Sequence, residues 1–360
     1  MGIMGKNTAK RFAWAASALC AVLFFQNCEF IAGPLANNSA SDKSLDSSGN
    51  GQPYDGKPSD VPYVASGVCP DGTVVQSRIL MKTASEGTLY RENCTTGQPK
   101  ALKAGDVKML SDSRLSFGGR TYELERPAIP LPGVITWFLQ LTGMLEERPA
   151  GIYIVDMFEN SAAQIAELKG AGHTVICRMS GGTKEAWTPD ADKFPASAVG
   201  NRAYGSREEW FVDIRSAAVR EIMIERLDLA RSKGCHGIDF DAVDGYKNNS
   251  GFALTKDLQL EYNQWLAFAA HDRELILSLN NVAELSQPLS NVFDFAIAEQ
   301  CFENDECDAH AAFVARGKPV LAVEYQPLTA AQCDQAKNSL LSLIYLNQEL
   351  DGREYGSCPN

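Results

Sequence analysis

From Ile135 to Leu346 the chain repeats one pattern. Short apolar runs, rich in β-branched residues, recur with helical spacing between most of them. The runs are Ile135–Leu141, Ile152–Met157, Thr174–Met179, His236–Asp241, Leu275–Asn281, Phe293–Glu299, Pro319–Tyr325 and Leu341–Leu346. Each is short enough for a strand buried on both faces, and continuous apolar runs of that kind belong to parallel sheets. Between them, SAAQIAELKGAG (161–172) opens on a Ser161 cap and closes on glycine, and SAAVREIMIERLDLARSKG (216–234) follows the same logic at greater length. Eight strands alternating with helices predict a β/α barrel of the TIM type, an α/β fold. A doubly wound open sheet is the alternative, but no Gly-x-Gly-x-x-Gly or phosphate loop follows an early strand.

The rest of the chain reads differently. Lys6, Lys10 and Arg11 precede an apolar run from Phe12 to Phe25 that is short for a membrane span, the pattern of an export signal over 1–27. Cys28 follows directly and is similar to the lipidated cysteine of bacterial lipoproteins, although Asn27 stands where a small residue is usual. Cleavage further on, near Ala32 or Ala36, is the other option and would give a secreted protein. Residues 28–61 are dominated by Ser, Asn, Gly, Asp and Pro and read as a flexible tether. Residues 62–128 hold short β-prone pieces, with Gly118-Gly119 as a hairpin signal, and predict a small β-rich module. The proline-rich RPAIPLPG (126–133) marks the boundary, with the barrel domain over 129–360. Expected localisation is the bacterial cell envelope, with membrane contact through the lipid anchor only and a monomeric protein.

Ten cysteines fit an exported chain. Beyond Cys20 and Cys28 eight remain, and their neighbourhoods favour Cys69–Cys94, Cys177–Cys235, Cys301–Cys307 and Cys333–Cys358. With no CxxC spacing and four histidines, neither a metal nor another cofactor is expected. The formal charge is −12, and loss of residues 1–27 makes the remainder three units more negative. Such a chain disfavours nucleic acid and attracts cations.

Acids fall at the ends of the predicted strands. Asp156 closes one, Asp239 and Asp241 another, Glu299 and Glu324 two more. In a β/α barrel these ends carry the reactive groups. Asp239 and Asp241 are two apart and share a face, so each raises the other's pKa. No Ser-His-Asp order or Gly-x-Ser-x-Gly elbow is visible. A carboxylate mechanism remains, and glycoside hydrolysis is the commonest reaction run by a carboxylate pair without a cofactor. Trp137, Trp187, Trp210, Tyr246 and Tyr325 lie near the same ends and offer flat faces to a sugar.

Several separated segments together resemble glycoside hydrolase family 114, the endo-α-1,4-polygalactosaminidase type. They are YIVDMFE (153–159), VICRMSGGTKEAWTPD (175–190), WFVDIRS (210–216), RLDLARSKGCHGIDFDAVDGY (226–246), FDFAIAEQC (293–301) and AVEY (322–325). The resemblance covers roughly 134–358. It implies a β/α barrel acting on α-1,4-linked galactosamine, a cationic polysaccharide. It implies Asp241 and Glu299 as the catalytic pair, one the nucleophile or base and the other the acid, and we read Asp241 as nucleophile and Glu299 as acid/base; Asp156, Asp239, Asp244, Tyr246, Trp137, Trp187, Asn281, Glu324 and Tyr325 are the substrate-binding candidates. The chain departs from the family pattern at Asp239 (Glu in the family), Phe240 (Pro) and Ala242 (Asn). It also lacks the second Trp of the first barrel strand, and the family's Leu-Lys-Asn-Asp reads Leu279-Asn280-Asn281-Val282. A catalytically degenerate, sugar-binding envelope lipoprotein is the competing expectation.

Overall fold

The computed structural model describes most of residues 63–124, then residue 131 and residues 135–205 and 208–359. The export signal, Cys28, the tether and the Cys69–Cys94 pair lie outside the described residues.

Seven strands form an antiparallel sheet: β1 (Tyr63–Val68), β2 (Val74–Met81), β3 (Gly87–Arg91), β4 (Lys100–Leu102), β5 (Val107–Ser111), β6 (Arg114–Phe117) and β7 (Arg120–Leu124). Their order is β4-β3-β2-β1-β7-β6-β5. The β6–β7 hairpin pairs Phe117 with Arg120, as the intervening glycine pair predicted.

The second unit is a curled sheet of eight parallel strands. They are β8 (Trp137–Gln140), β9 (Ile152–Asp156), β10 (Thr174–Ser180), β14 (Gly237–Asp241), β15 (Ile276–Asn280), β16 (Phe295–Glu299), β17 (Val320–Glu324) and β18 (Leu341–Leu346). All eight coincide with the runs read from sequence. The numbering skips because β11 (Thr183–Glu185), β12 (Val199–Arg202) and β13 (Glu209–Val212) form a small separate sheet on the loop after β10. Helices α1 (Ala162–Gly170), α2 (Ala217–Lys233), α3 (Lys256–His271), α4 (Ala283–Leu289), α5 (Ala311–Val314) and α6 (Ala330–Asn338) cover the outside. Ser161 and Gln164 form the expected capping box on α1. On α2 the glycine stop holds, with Gly234 left-handed, while Ser216 makes no side-chain cap.

Strand parity separates two cores. Inward residues such as Ile154, Ile176, Ile276, Phe295, Leu321 and Ile344 fill the barrel, while outward residues such as Cys177, Ile238, Leu277 and Ala322 meet the helices. Three predicted disulfides are present: Cys177–Cys235, Cys301–Cys307 and Cys333–Cys358.

No helix separates β8 from β9, and none follows β18. The seam between β8 and β18 is closed by other means. Ile135 N–H donates to Ser342 Oγ (3.0 Å) and Trp137 Nε1–H to the Ser342 carbonyl (2.7 Å). The last strand, β19 (Tyr355–Ser357), pairs antiparallel with β18 and sets Tyr355 edge-on to Phe138 of β8.

The two units meet on α3. Arg78 of β2 forms a buried ion pair with Asp272, and Tyr90 of β3 donates to Gln264 Oε1 (2.6 Å) and packs edge-on to Phe268. Phe268 and Asp272 lie at the C-terminal end of α3, just before β15 begins, and Gln264 lies one turn before Phe268. A barrel helix runs antiparallel to its strands, so the module docks at the end of the barrel away from the C-terminal mouth.

Candidate active site

The inward faces change character as the strands approach the mouth. Above the apolar layer, β10 presents Arg178, β14 presents Asp239 and Asp241, β15 presents Ser278 and Asn280, and β16 ends on Glu299. Register sets Arg178 between Asp156 and Asp239 on its neighbours.

Arg178 gathers the acids. Its Nη2–H donates to Asp241 Oδ2 (2.7 Å), its Nη1–H donates to Glu299 Oε1 (2.9 Å), and Nη1 lies 3.4 Å from Asp239 Oδ2. Burial would lower the guanidinium's pKa, but Asp241, Glu299 and Asp239 together hold it well above its ordinary value. The cation is permanent and its fork shape sets the carboxylates in place.

Asp241 stands at the opening, with its side chain 48% exposed. Its Oδ1 accepts from the Ala242 N–H (2.7 Å). Desolvation by the cleft walls pushes its pKa up, but Arg178 and the Ala242 amide outweigh it, so Asp241 stays below the usual carboxylate range. Glu299 is more enclosed. Its Oε1 also accepts from Asn280 Nδ2 (3.2 Å), and its Oε2 accepts from the Tyr325 hydroxyl. Burial, then Glu299, raise the Tyr325 pKa far above normal, so the phenol keeps its proton. A hydroxyl also accepts, so this contact survives whether Glu299 is a carboxylate or a carboxylic acid. Asn281 Oδ1 accepts from the Glu299 N–H (2.8 Å) and fixes the end of β16.

Asp239 lies beneath the pair and is 0% exposed, bonded to Ser278 Oγ and Asn280 Nδ2 (3.1 Å). Burial lifts its pKa to about 6, against the opposing pull of Arg178 and Ser278. Its unfolded value is near 3.8, so the folded protein holds this proton more tightly than the unfolded chain. The stability it contributes is full below the unfolded value and is lost as pH rises through about 6. Comparing wild type with Asp239→Asn by urea unfolding, we expect the difference to move against wild type by up to ~3 kcal/mol between about pH 4 and pH 7. A pH-independent difference would refute the buried-charge account.

The family departures are accommodated. Asp239, shorter than Glu, still reaches Arg178. Phe240 points outward into the helical layer and is fully buried. Ala242 adopts φ +58°, a left-handed conformation that Asn tolerates better than Ala. The turn is tight. A Cβ on Gly182 would lie 1.9 Å from the Ala242 carbonyl oxygen, so only glycine fits opposite it. Relieving the strain by Ala242→Gly is expected to raise stability by about 0.5–1 kcal/mol, read as a higher thermal midpoint.

Around the mouth, Asp156 Oδ1 accepts from the Phe158 and Glu159 N–H groups (both 2.7 Å). Asp244 accepts from the Tyr204 hydroxyl (2.7 Å), and Tyr246 donates to Glu284 (2.8 Å) on the surface. Trp187 is 54% exposed. Three substrate-binding expectations fail. Trp137 is 0% exposed, because it sits inward at the lower end of β8 and is consumed by the seam. Glu324 has outward parity, is buried, and accepts from Phe302 N–H (2.9 Å), so it holds a loop. Asp239 is covered and meets Arg178, Ser278 and Asn280 instead of open space.

Four residues escaped the sequence reading: Arg178, Tyr204, Glu185 and Glu209. Arg178 had a usable signal, a cation at an inward position of an otherwise apolar strand. Glu185 and Glu209 sit on the small β11–β13 sheet, which has no apolar period. Burial pushes Glu185 up to about 7, with Arg226 opposing and Glu209, Asp156 and Asp241 adding to it. Glu209 is also raised, by burial above all, although it accepts from Thr183 Oγ1 (2.7 Å). Among the described residues, no group of three or more His, Cys, Asp or Glu side chains is placed to hold a metal ion.

The sequence matches the profile of glycoside hydrolase family GH114 over residues 122–358. The chain belongs to this family. A crystal structure of Aspergillus fumigatus Ega3 in complex with galactosamine is similar at 34% identity and TM-score 0.61, covering 65% of this chain and 99% of that one. The glycoside hydrolase domain of PelA from Pseudomonas aeruginosa matches at 16% identity and TM-score 0.49, over 63% of this chain and 98% of that one. No curated protein matches. The family 114 protein is therefore a glycosidase.

Proposed function

We propose that the protein cleaves α-1,4-linked galactosamine polymers, with Asp241 as nucleophile and Glu299 as acid/base. The observation that carries this reading is the Arg178 fork. It holds two strand-end carboxylates together at the open mouth, one depressed in pKa and half-exposed, the other bonded to a protonated phenol. Galactosamine bound to the 34% identical Ega3 supports the sugar. So does the sign of the cleft: Asp156, Glu185, Glu209, Asp241, Asp244 and Glu299 surround it, with Arg178 pinned below. A polymer with one ammonium per residue meets a complementary field.

In the first step Asp241 attacks the anomeric carbon while Glu299 gives its proton to the departing glycosidic oxygen. In the second, Glu299 takes a proton from water, whose oxygen displaces Asp241 from the same carbon. Binding of both carboxyls by one guanidinium supports the short spacing of retaining enzymes, roughly 5–5.5 Å, over the wider gap that admits a water in inverting ones. Proton NMR of freshly released oligosaccharide is expected to show the α anomer first. Absence of new reducing ends on both galactosamine and N-acetylgalactosamine polymers would refute hydrolysis and favour sugar binding alone. We place the enzyme in the cell envelope, exported by residues 1–27 and held by lipidated Cys28 and the tether over 28–61.

A further inference from the structure

Arg178 is not alone in tying the acids together. Asn280 Nδ2 lies 3.1 Å from Asp239 Oδ2 and 3.2 Å from Glu299 Oε1, so its two N–H bonds go one to each carboxyl. Arg178 Nη1 bridges the same two oxygens, at 3.4 Å and 2.9 Å. Two NH2 groups thus span one gap between Asp239 and Glu299. Oxygens bridged in this way lie within the roughly 4–6 Å over which one carboxylate shifts the protonation of another. Asn280 is committed to this arrangement. It is buried, and its Oδ1 accepts no hydrogen bond among the described residues. A flipped amide would set that carbonyl oxygen against both acids.

Taken alone, these donors work against Glu299 as an acid. An acid catalyst must keep its proton until the glycosidic bond breaks, yet Arg178 and Asn280 both donate to Glu299 Oε1 and favour the charged carboxylate. Asp239 supplies the opposing influence. It is fully covered, so salt and water screen its charge little. The groups that face it are Arg178 from β10, Asp241 on its own strand, Ser278 and Asn280 from β15, and Glu299 across the bridge from β16. We propose that Asp239 is a positioning residue for proton transfer: its buried negative charge, acting across the Asn280 and Arg178 bridge, holds the proton on Glu299. This rests on the reading of Glu299 as acid/base and deepens it. The same charge serves the second step, in which Glu299 must take a proton from water. With its pKa pushed up to about 6 by burial, Asp239 is charged over the neutral and mildly alkaline range in which Glu299 must still give a proton.

The test is the pH profile of kcat/KM on a galactosamine polymer, measured with the full-length protein and three variants. Asp239→Asn keeps the shape, and its amide can accept from Asn280 and donate to Ser278 while carrying no charge. Its basic limb is expected about one pH unit below that of wild type. Ser278→Ala removes a donor that favours ionised Asp239, and it is expected to move the limb the same way by less. Asp239→Glu keeps the charge and is expected to keep the limb near its wild-type place. A purely structural Asp239 would lower the rate at every pH and leave the limb where it is. An unmoved limb in Asp239→Asn, or one moved to higher pH, overturns the proposal. If the wild-type protein cleaves no galactosamine polymer, the parent reading falls, and carbon-13 NMR titration of the Glu299 carboxyl, assigned with Glu299→Gln, decides the electrostatic role alone. Titration at lower pH in Asp239→Asn than in wild type upholds it, and equal titration overturns it.

Discussion

Asp241→Asn is expected to lower kcat by at least about 10⁴-fold while leaving the fold intact. Asn keeps the shape and can accept from either Arg178 or the Ala242 amide, though not from both, because its second terminal atom is a donor. It cannot form the covalent bond to the anomeric carbon. Glu299→Gln removes the proton donor and should cost about 10²–10⁴-fold on a poor leaving group. The loss should shrink on an aryl glycoside whose leaving group needs no proton, and that contrast separates the two roles. The decisive measurement is single-turnover hydrolysis with each variant. If Asp241→Asn keeps more than a tenth of wild-type kcat, Asp241 is not the nucleophile. With azide and an aryl α-glycoside, Asp241→Asn is expected to give the β-glycosyl azide and Glu299→Gln the α-glycosyl azide; the reverse pair of products would invert the assignment.

Arg178→Met is the second large effect. It removes the cation that offsets three carboxylates, and breaking one partner out of a buried charge cluster costs about 3–5 kcal/mol. Catalysis should fall about 10²–10³-fold, because the pair loses its fixed geometry. The pH profile is more specific. Arg178 holds the Asp241 pKa down against desolvation, and Asp241 must be ionised to attack. Without Arg178 that pKa rises, so the acidic limb of kcat/KM moves to higher pH. Arg178→Lys keeps the charge but cannot bind two carboxyls in parallel, so it should restore part of the limb and little of the rate. An unmoved acidic limb in Arg178→Met would show that the guanidinium is structural only.

The strands were legible because each is a short apolar run, and a parallel strand covered on both faces has no other way to be written. Asp241 and Glu299 were legible for the same reason, as acids at the ends of such runs. What failed was height and parity within the barrel. Trp137 and Tyr325 both face inward, but Trp137 starts its strand and Tyr325 follows the end of one, so only Tyr325 meets the cleft. Glu324 sits one residue from an inward position and therefore faces the helices. Alternation along Leu321, Val323 and Tyr325 would have excluded it. Arg178 was hidden by the expectation that a barrel strand is apolar, although an inward cation needs acids on neighbouring strands and so locates them. The β11–β13 sheet left no periodic trace. Its strands are three or four residues long and one of its pairings is irregular. The site residues it carries, Glu185 and Glu209, went unseen with it.

The docking of the β module on the far end of α3 bears on how a long substrate can approach. Whatever precedes Tyr63 is connected to the barrel through a body locked in place by the Arg78–Asp272 pair and the Tyr90 contacts. The docking point of the module and the mouth then lie at opposite ends of the barrel. If the N-terminal segment is fixed to a surface as proposed, that surface lies behind the enzyme. A polymer several times longer than the barrel can cross the mouth from rim to rim without meeting either that surface or the segment that joins them. Under the proposed N-terminal anchor the mouth faces away from the anchored surface, and shortening residues 28–61 is expected to change the enzyme's reach more than its choice of bond.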